Sequence, residues 1–261
     1  MSKGLKKFLL FLMCVVCTGA FAPPHDPARS YDKSAADTTY HPGISVRVTL
    51  FGKEGMRDRL DKDCTVYIYN SRKLEGGRCQ YDAGIAGHCI RDWDSAGKQH
   101  DASLLTSRRL GEVSDVKFRL YPDFKKKEDI ATAKDVGSVG FTADCDESNR
   151  RIPVWALAEK DKLPAVGAIC MVLTQKGFIV GVVKDDPAAK EPMLYLDTKP
   201  FAGVVGADQE PDFSQSGSGL LCDNRIVATC VGIPARREKK GFYCSGGLSL
   251  GWMRNQKGAT K

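Results

Sequence analysis

From Ser45 onward the chain is filled with short runs in which apolar and polar residues alternate. Residues 45–51 place Val46, Val48 and Leu50 on one face, residues 65–69 do the same with Val66 and Ile68, and residues 117–121 alternate around Phe118 and Leu120. Similar runs follow at 168–173, 178–183, 193–196, 219–222, 225–233 and 247–250. Side chains of an extended chain point to opposite faces with a period of two. Alternation rich in β-branched residues and broken by Gly, Pro and Asp therefore predicts strands. No stretch carries three helical turns of amphipathic spacing. Many short strands without intervening helices predict a sandwich or barrel. About 210 ordered residues are long for one small barrel and suit two. The polar, basic residues 149–153, which end on a proline, are the natural division.

The first 22 residues change the picture, because they read as an export signal. Lys3, Lys6 and Lys7 precede a short apolar core at 8–17, and small residues follow at Thr18, Gly19, Ala20 and Ala22. The core is too short to span a bilayer. Residues 23–43, with Pro23, Pro24, Pro27, Pro42 and Gly43 among polar neighbours, read as a disordered lead-in or pro-segment. The organisation expected is a signal at 1–22, this lead-in, an N-terminal barrel over 44–150 and a C-terminal barrel over 151–261. The net charge of +7 includes three lysines of the signal, so the remainder carries +4. With no basic stripe interleaved with aromatics, nucleic acid is not an expected partner. Stable membrane insertion after signal removal is not expected either.

Of ten cysteines, Cys14 and Cys17 lie in the signal, leaving Cys64, Cys79, Cys89, Cys145, Cys170, Cys222, Cys230 and Cys244. An even number in an exported chain predicts disulfides, but eight cysteines allow on the order of 100 pairings. Cys64, Cys79, His88 and Cys89 are too irregularly spaced for a zinc site, and export favours oxidation. No metal or organic cofactor is implied.

Three segments carry candidate chemistry. His88 closes an apolar stretch and precedes Cys89. Asp129 precedes Ile130-Ala131. Ser216 stands in Ser216-Gly217-Ser218-Gly219-Leu220, ahead of Cys222. His100 lies in a polar segment and reads as a surface-loop residue. A serine hydroxyl is a poor nucleophile until an imidazole takes its proton and a carboxylate fixes the imidazole tautomer. Backbone N–H groups must also meet the developing oxyanion. Taken singly, each segment has an ordinary structural reading: a turn, a core histidine, a surface acid.

Taken together, they resemble the trypsin/chymotrypsin superfamily of serine endopeptidases. Gly87-His88-Cys89 resembles that family's histidine motif, Asp129-Ile130-Ala131 its aspartate motif, and Ser216-Gly217-Ser218-Gly219-Leu220 a variant of its serine motif. The separations, 41 and 87 residues, are similar to the family's. The resemblance covers about residues 44–252. It implies an all-β fold of two perpendicular six-stranded Greek-key barrels with the active site in the cleft between them. It further implies hydrolysis of proteins or peptides outside the cytoplasm, secreted or periplasmic, through an acyl-enzyme on Ser216. His88 would be the general base, Asp129 its orienting acid, and the N–H groups of Ser214 and Ser216 the oxyanion donors. The resemblance pairs Cys64 with Cys89 and Cys170 with Cys222, leaving Cys230 with Cys244 and Cys79 with Cys145.

The chain departs from the family pattern in several places. Ser214-Gln215 stands where the family has Gly-Asp before the nucleophile. Either the Ser214 peptide is flipped until substrate binds, or the oxyanion hole is disabled, a loss of about 10²–10³ in rate. Gln215 cannot form the ion pair of zymogen-activated members. The C-terminal helix reads as short or missing, and residues 70–80 as an inserted loop. Glu210, six residues before Ser216, falls where trypsin-like members place the pocket acid that favours Arg or Lys. A solvated acidic loop is the rival reading. Gly246 would form a pocket wall, or else a turn. The second functional class is a catalytically silent homologue that serves as a binding or adhesion module.

Overall fold

Val, Ile, Tyr and Phe at alternating positions give the strands their buried faces, and Gly or Asp at the breaks turns them. The structure, a computed structural model, describes residues 42–145, 153–159, 162–187, 189, 193–201, 211–234, 240–246 and 248–256. The export signal, nearly all of the lead-in, the division at 149–153 apart from Pro153, and Glu210 lie outside the described residues.

The first sheet contains β1 (Ile44–Gly52), β2 (Gly55–Lys73), β3 (Arg78–Ala86), β4 (Arg91–Trp93), β5 (Gln99–Thr106), β6 (Ser114–Leu120) and β7 (Val136–Asp144). Its order is β4-β5-β1-β2-β3-β7-β6. The second contains β8 (Ile169–Thr174), β9 (Gly177–Lys184), β10 (Met193–Asp197), β11 (Gly219–Cys222), β12 (Arg225–Gly232) and β13 (Gly241–Gly246), closed in the order β10-β13-β12-β11-β8-β9. The expectation of two six-stranded barrels is therefore corrected: one closed six-stranded barrel stands beside an open seven-stranded sheet. The reason lies at the open edges. β4 is only three residues long, and β6 slips register between Ser114 and Lys117, where Asp115 takes a φ of +52°. A short edge and a kinked edge offer too few aligned N–H and C=O groups to pair.

Three further readings change. Residues 70–80 are not an inserted loop: β2 runs to Lys73 and returns as β3 through a single 3-10 turn at Glu75–Gly77. The strand expected at 247–250 is replaced from 248 on by helix α1 (Leu248–Gln256), after β13 ends at Gly246. His100 is not on a surface loop. It lies on β5 with 3% exposure, its Nε2 2.7 Å from Asp58 Oδ1 and its Nδ1 3.0 Å from the Lys98 carbonyl oxygen. Hydrogen bonds from Lys98 and His100 outweigh partial burial and hold the Asp58 carboxyl below its ordinary value.

The two sheets are stitched together by backbone and by one tyrosine. In the segment 153–159, Trp155 N–H donates to the Ile68 carbonyl on β2, while Ala156 and Ala158 bond to Ile226 on β12. Tyr67 on β2 is fully buried, and its hydroxyl shares a 2.8 Å hydrogen bond with Thr229 Oγ1 on β12. Burial pushes this phenol's pKa up. The ring lies against two glycines: a Cβ on Gly84 would fall 2.1 Å from Tyr67 Cζ, and one on Gly219 3.0 Å from Tyr67 Cγ. Gly84→Ala is expected to displace this ring and cost about 2–3 kcal/mol by overpacking, lowering the thermal midpoint by about 5–10 °C. An unchanged melting curve would show that Tyr67 moves freely.

Disulfides join Cys64 to Cys89, Cys79 to Cys145, Cys170 to Cys222 and Cys230 to Cys244. The first two tie together strands and turns of the open sheet, and the others close within the barrel. Among the described residues, no helix is long and apolar enough to cross a membrane.

Candidate active site

β3 delivers the histidine. It ends at Ala86, and a single 3-10 turn, Gly87–Cys89, rotates the chain so that Ile90 N–H bonds back to the Gly87 carbonyl. Cys89 is fixed to Cys64. The His88 side chain retains 13% exposure. Its backbone N–H donates to Asp135 Oδ1 at 2.7 Å, and its Nδ1 lies 2.8 Å from Asp135 Oδ2. A third donor, the Ala131 N–H, reaches Oδ2 at 2.7 Å. The Asp135 side chain is fully buried. An acceptor held by three donors takes Nδ1–H from the ring and leaves Nε2 with a lone pair facing away. Burial disfavours charge on His88, but the Asp135 charge and hydrogen bond outweigh it, holding the ring above the ordinary histidine value. Gly87 lets the turn pack closely, since a Cβ would come to 3.0 Å from Asp135 Oδ1 and from Val136 N.

The acid beside His88 is thus Asp135, and the assignment of Asp129 is corrected. Asp129 ends the 3-10 turn Lys127–Asp129, and its Oδ2 accepts the N–H groups of Lys125 and Lys126 at 2.8 and 3.0 Å. Burial raises its pKa, but those two N–H groups prevail and hold the carboxyl below its ordinary range. Asp129 is a cap. The loop between the two acids is bent at Ala131, where φ is +56°. Ser245 on β13 clamps that loop by donating to the Ala133 carbonyl at 2.6 Å. Asp135 immediately precedes the buried strand β7, and that position was the available signal. β7 itself is Gly-rich and buried on both faces, so it lacks the alternation that would have revealed it.

The barrel delivers the serine. A 3-10 turn, Phe213–Gln215, leads into Ser216, which is 9% exposed, and Gly217 turns the chain into β11 with a φ of +93°. The turn is pinned from both sides. Thr65 N–H donates to the Ser216 carbonyl at 2.9 Å, and Gly217 N–H donates to the Cys230 carbonyl at 2.8 Å. A Cβ on Gly217 would fall 2.9 Å from Ala86 N, two residues before His88, and Cys89 Sγ lies 3.9 Å from the Ser216 carbonyl oxygen. The serine turn and the histidine turn are therefore packed against each other. Among the described residues, no hydrogen bond joins His88 to Ser216. Such bonds are often long before substrate binds.

Ser214 departs from its expected role. Its N–H, expected to face an oxyanion, is donated to Asp212 Oδ1 at 2.7 Å, and its hydroxyl donates to the same oxygen at 2.5 Å. The Ser214 carbonyl accepts from Thr65 Oγ1 at 2.9 Å. Gln215, 5% exposed, accepts the Asp212 N–H through Oε1 at 3.0 Å. A small pocket beside the serine is lined by Asp212, Gln215, Ser216, Gly232, Ile233 and Phe242. Gly246, paired with Ala228 at the end of β13, is not among these lining residues.

No protein-family model matches the chain, and no curated protein sequence does. Solved structures do match. A thermostable serine protease, AL20, from an extremophilic microorganism has 13% identity and a TM-score of 0.54, covering 85% of this chain and 99% of its own. The protease Anisep from Arthrobacter nicotinovorans has 9% identity and a TM-score of 0.54, with the same coverage. At such identities the likeness speaks to architecture alone. The chain has the double β-sheet fold of chymotrypsin/trypsin-like proteases.

Proposed function

We propose that this chain is an exported serine endopeptidase, acting on proteins or peptides in a secreted or periplasmic setting. The observation that carries the reading is the doubly bonded His88–Asp135 pair packed against the Ser216–Gly217 turn. Asp135 holds His88 in the tautomer whose Nε2 accepts a proton. Ser216 Oγ attacks the scissile carbonyl carbon as its proton passes to Nε2, and the carbonyl electrons move onto oxygen. Collapse expels the amine, which takes the proton from His88 and leaves an acyl-serine. Water then repeats the sequence and releases the acid. The N–H groups of Ser216 and Ser214 are the proposed oxyanion donors. Export agrees with the N-terminal signal pattern and with a disulfide-bonded core.

A fluorophosphonate probe tests the reading directly. The purified protein is expected to label covalently, and Ser216→Ala to remain unlabelled while folding normally. Absence of labelling in both proteins would reject the protease reading. It would favour the second one, an inactive homologue that binds partners, which draws on the capture of the Ser214 N–H by Asp212.

A further inference from the structure

Thr65, on β2 of the open sheet, grips the serine turn of the barrel with backbone and side chain together. Its N–H donates to the Ser216 carbonyl at 2.9 Å, and its hydroxyl donates to the Ser214 carbonyl at 2.9 Å. The direction of that hydroxyl is fixed from several sides. A β-branched side chain has few staggered choices. The Thr65 methyl packs on Gly43, where a Cβ would fall 2.8 Å from Cγ2, and Gly43 N–H is itself tied to the Thr174 carbonyl at 3.0 Å. Gln175, in the turn between β8 and β9, brings Nε2 to 3.4 Å from Thr65 Oγ1. An oxygen approached by a donor on one side turns its own hydrogen to the acceptor on the other, here the Ser214 carbonyl. Thr65 is 0% exposed, so water does not compete for that hydrogen.

Thr65 also stands next to the histidine turn by a covalent route. Cys64 precedes it in the chain, and the Cys64–Cys89 disulfide ends on the residue after His88. The same short stretch of β2 is therefore bonded to the turn that carries the base and hydrogen-bonded to the turn that carries the nucleophile. Resting on the serine-protease reading above, we infer that Thr65 is a positioning residue, whose hydroxyl sets the Ser214–Gln215 peptide and through it the place of Ser216 Oγ relative to His88 Nε2. The backbone contact to the Ser216 carbonyl survives any side-chain substitution, so the hydroxyl is separable from it. Once the hydroxyl is removed, the Ser214 carbonyl loses its Thr65 donor and the peptide ahead of the nucleophile is free to tilt. The side chain has no exposed surface with which to touch substrate. Its loss therefore falls on kcat rather than on KM, because geometry at the reacting atoms changes while substrate binding does not.

The test uses the full chain, a peptide ester as substrate, the rate of fluorophosphonate labelling and the thermal midpoint. Thr65→Val keeps the branched shape and deletes the hydroxyl, whereas Thr65→Ser keeps the hydroxyl and deletes the methyl. Thr65→Val is expected to lower kcat and the labelling rate by about 10–10², with KM within about twofold of wild type. Thr65→Ser is expected to restore both rates to within about threefold of wild type. Thr65→Ala removes the hydroxyl without placing a methyl against the Ser214 carbonyl, and it carries the same expectation should the valine variant fail to fold. If the variants only lower the thermal midpoint, with kcat and labelling per folded molecule unchanged, the positioning role is overturned while the protease reading stands. Equal losses in the valine and serine variants would overturn it as well, since the hydroxyl would then not be the group that matters. If wild type itself neither labels nor turns over ester, the protease reading falls and this inference with it.

Discussion

Asp135→Asn is expected to lower turnover by about 10⁴. The amide keeps the shape of the carboxylate but places an NH2 group where Ala131 N–H and His88 Nδ1 now meet Oδ2. Facing a donor, the His88 ring turns over its tautomer, puts its proton on Nε2 and loses the lone pair that takes the Ser216 proton. The pH profile carries a second signature. Burial alone would lower the His88 pKa, and Asp135 is what lifts it, so removing the charge should move the acid limb of kcat/KM to lower pH. Asp129→Ala is the matched comparison. It removes a cap and should cost about 1 kcal/mol of stability, while leaving both turnover and the pH profile near wild type. The opposite pattern, with the loss at Asp129, would return the role to that residue.

Gly217→Ala is expected to damage both stability and turnover, for steric reasons. At a φ of +93° a Cβ is itself strained, and its nearest neighbours would be Thr65 O at 2.3 Å, Ala86 N at 2.9 Å and Ile85 Cα at 3.2 Å. These are backbone atoms of two strands and cannot swing aside as a side-chain tip can. Strain and overpacking together should cost about 3 kcal/mol or more. The Ser216 turn would shift relative to His88, and a displacement of about 1 Å at a reacting group costs roughly 10² in rate. Gly97→Ala separates the two causes. Gly97 also has a positive φ, +79°, but a Cβ there meets nothing within 4 Å, so only the backbone strain of about 1–2 kcal/mol applies. Equal urea midpoints for the two variants would show that the contact at Gly217 relaxes at no cost.

The sequence was legible where one local feature sufficed. Alternating runs such as Val46, Val48 and Leu50 announced β1, because half-buried strands must alternate, and the short apolar run Gly219–Cys222 announced β11, which is buried at all four positions. His88 beside Cys89, and Ser216 beside Gly217, announced the two turns that the fold brings together. It was not legible where a side chain's setting comes from distant chain. The letters Asp129-Ile130-Ala131 drew the acid to the wrong residue, because a short motif carries no record of where the carboxylate points. Six residues on, Asp135 sits in an unremarkable stretch and gains its setting only when β3 and β7 pair along Arg78–Ala86 and bring His88 to it. His100 was read as a surface residue because its neighbours are polar, yet β5 packs it against Asp58, 42 positions away.

By itself, then, the sequence determined the strand-rich class and an even set of core cysteines, and it singled out the His88 and Ser216 turns that the structure packs against each other. Each of these is written in residue type and near-neighbour spacing, through pleat periodicity, turn chemistry and hydrophobic run length. Only the tertiary structure decided that one sheet stays open while the other closes, that Asp135 holds His88 while Asp129 caps a turn, and that Asp212 claims the Ser214 N–H. Those outcomes depend on which edge groups align, which carboxylate meets a donor and which turn is pinned by a strand far away in the chain, and such contacts exist only once the two sheets have packed.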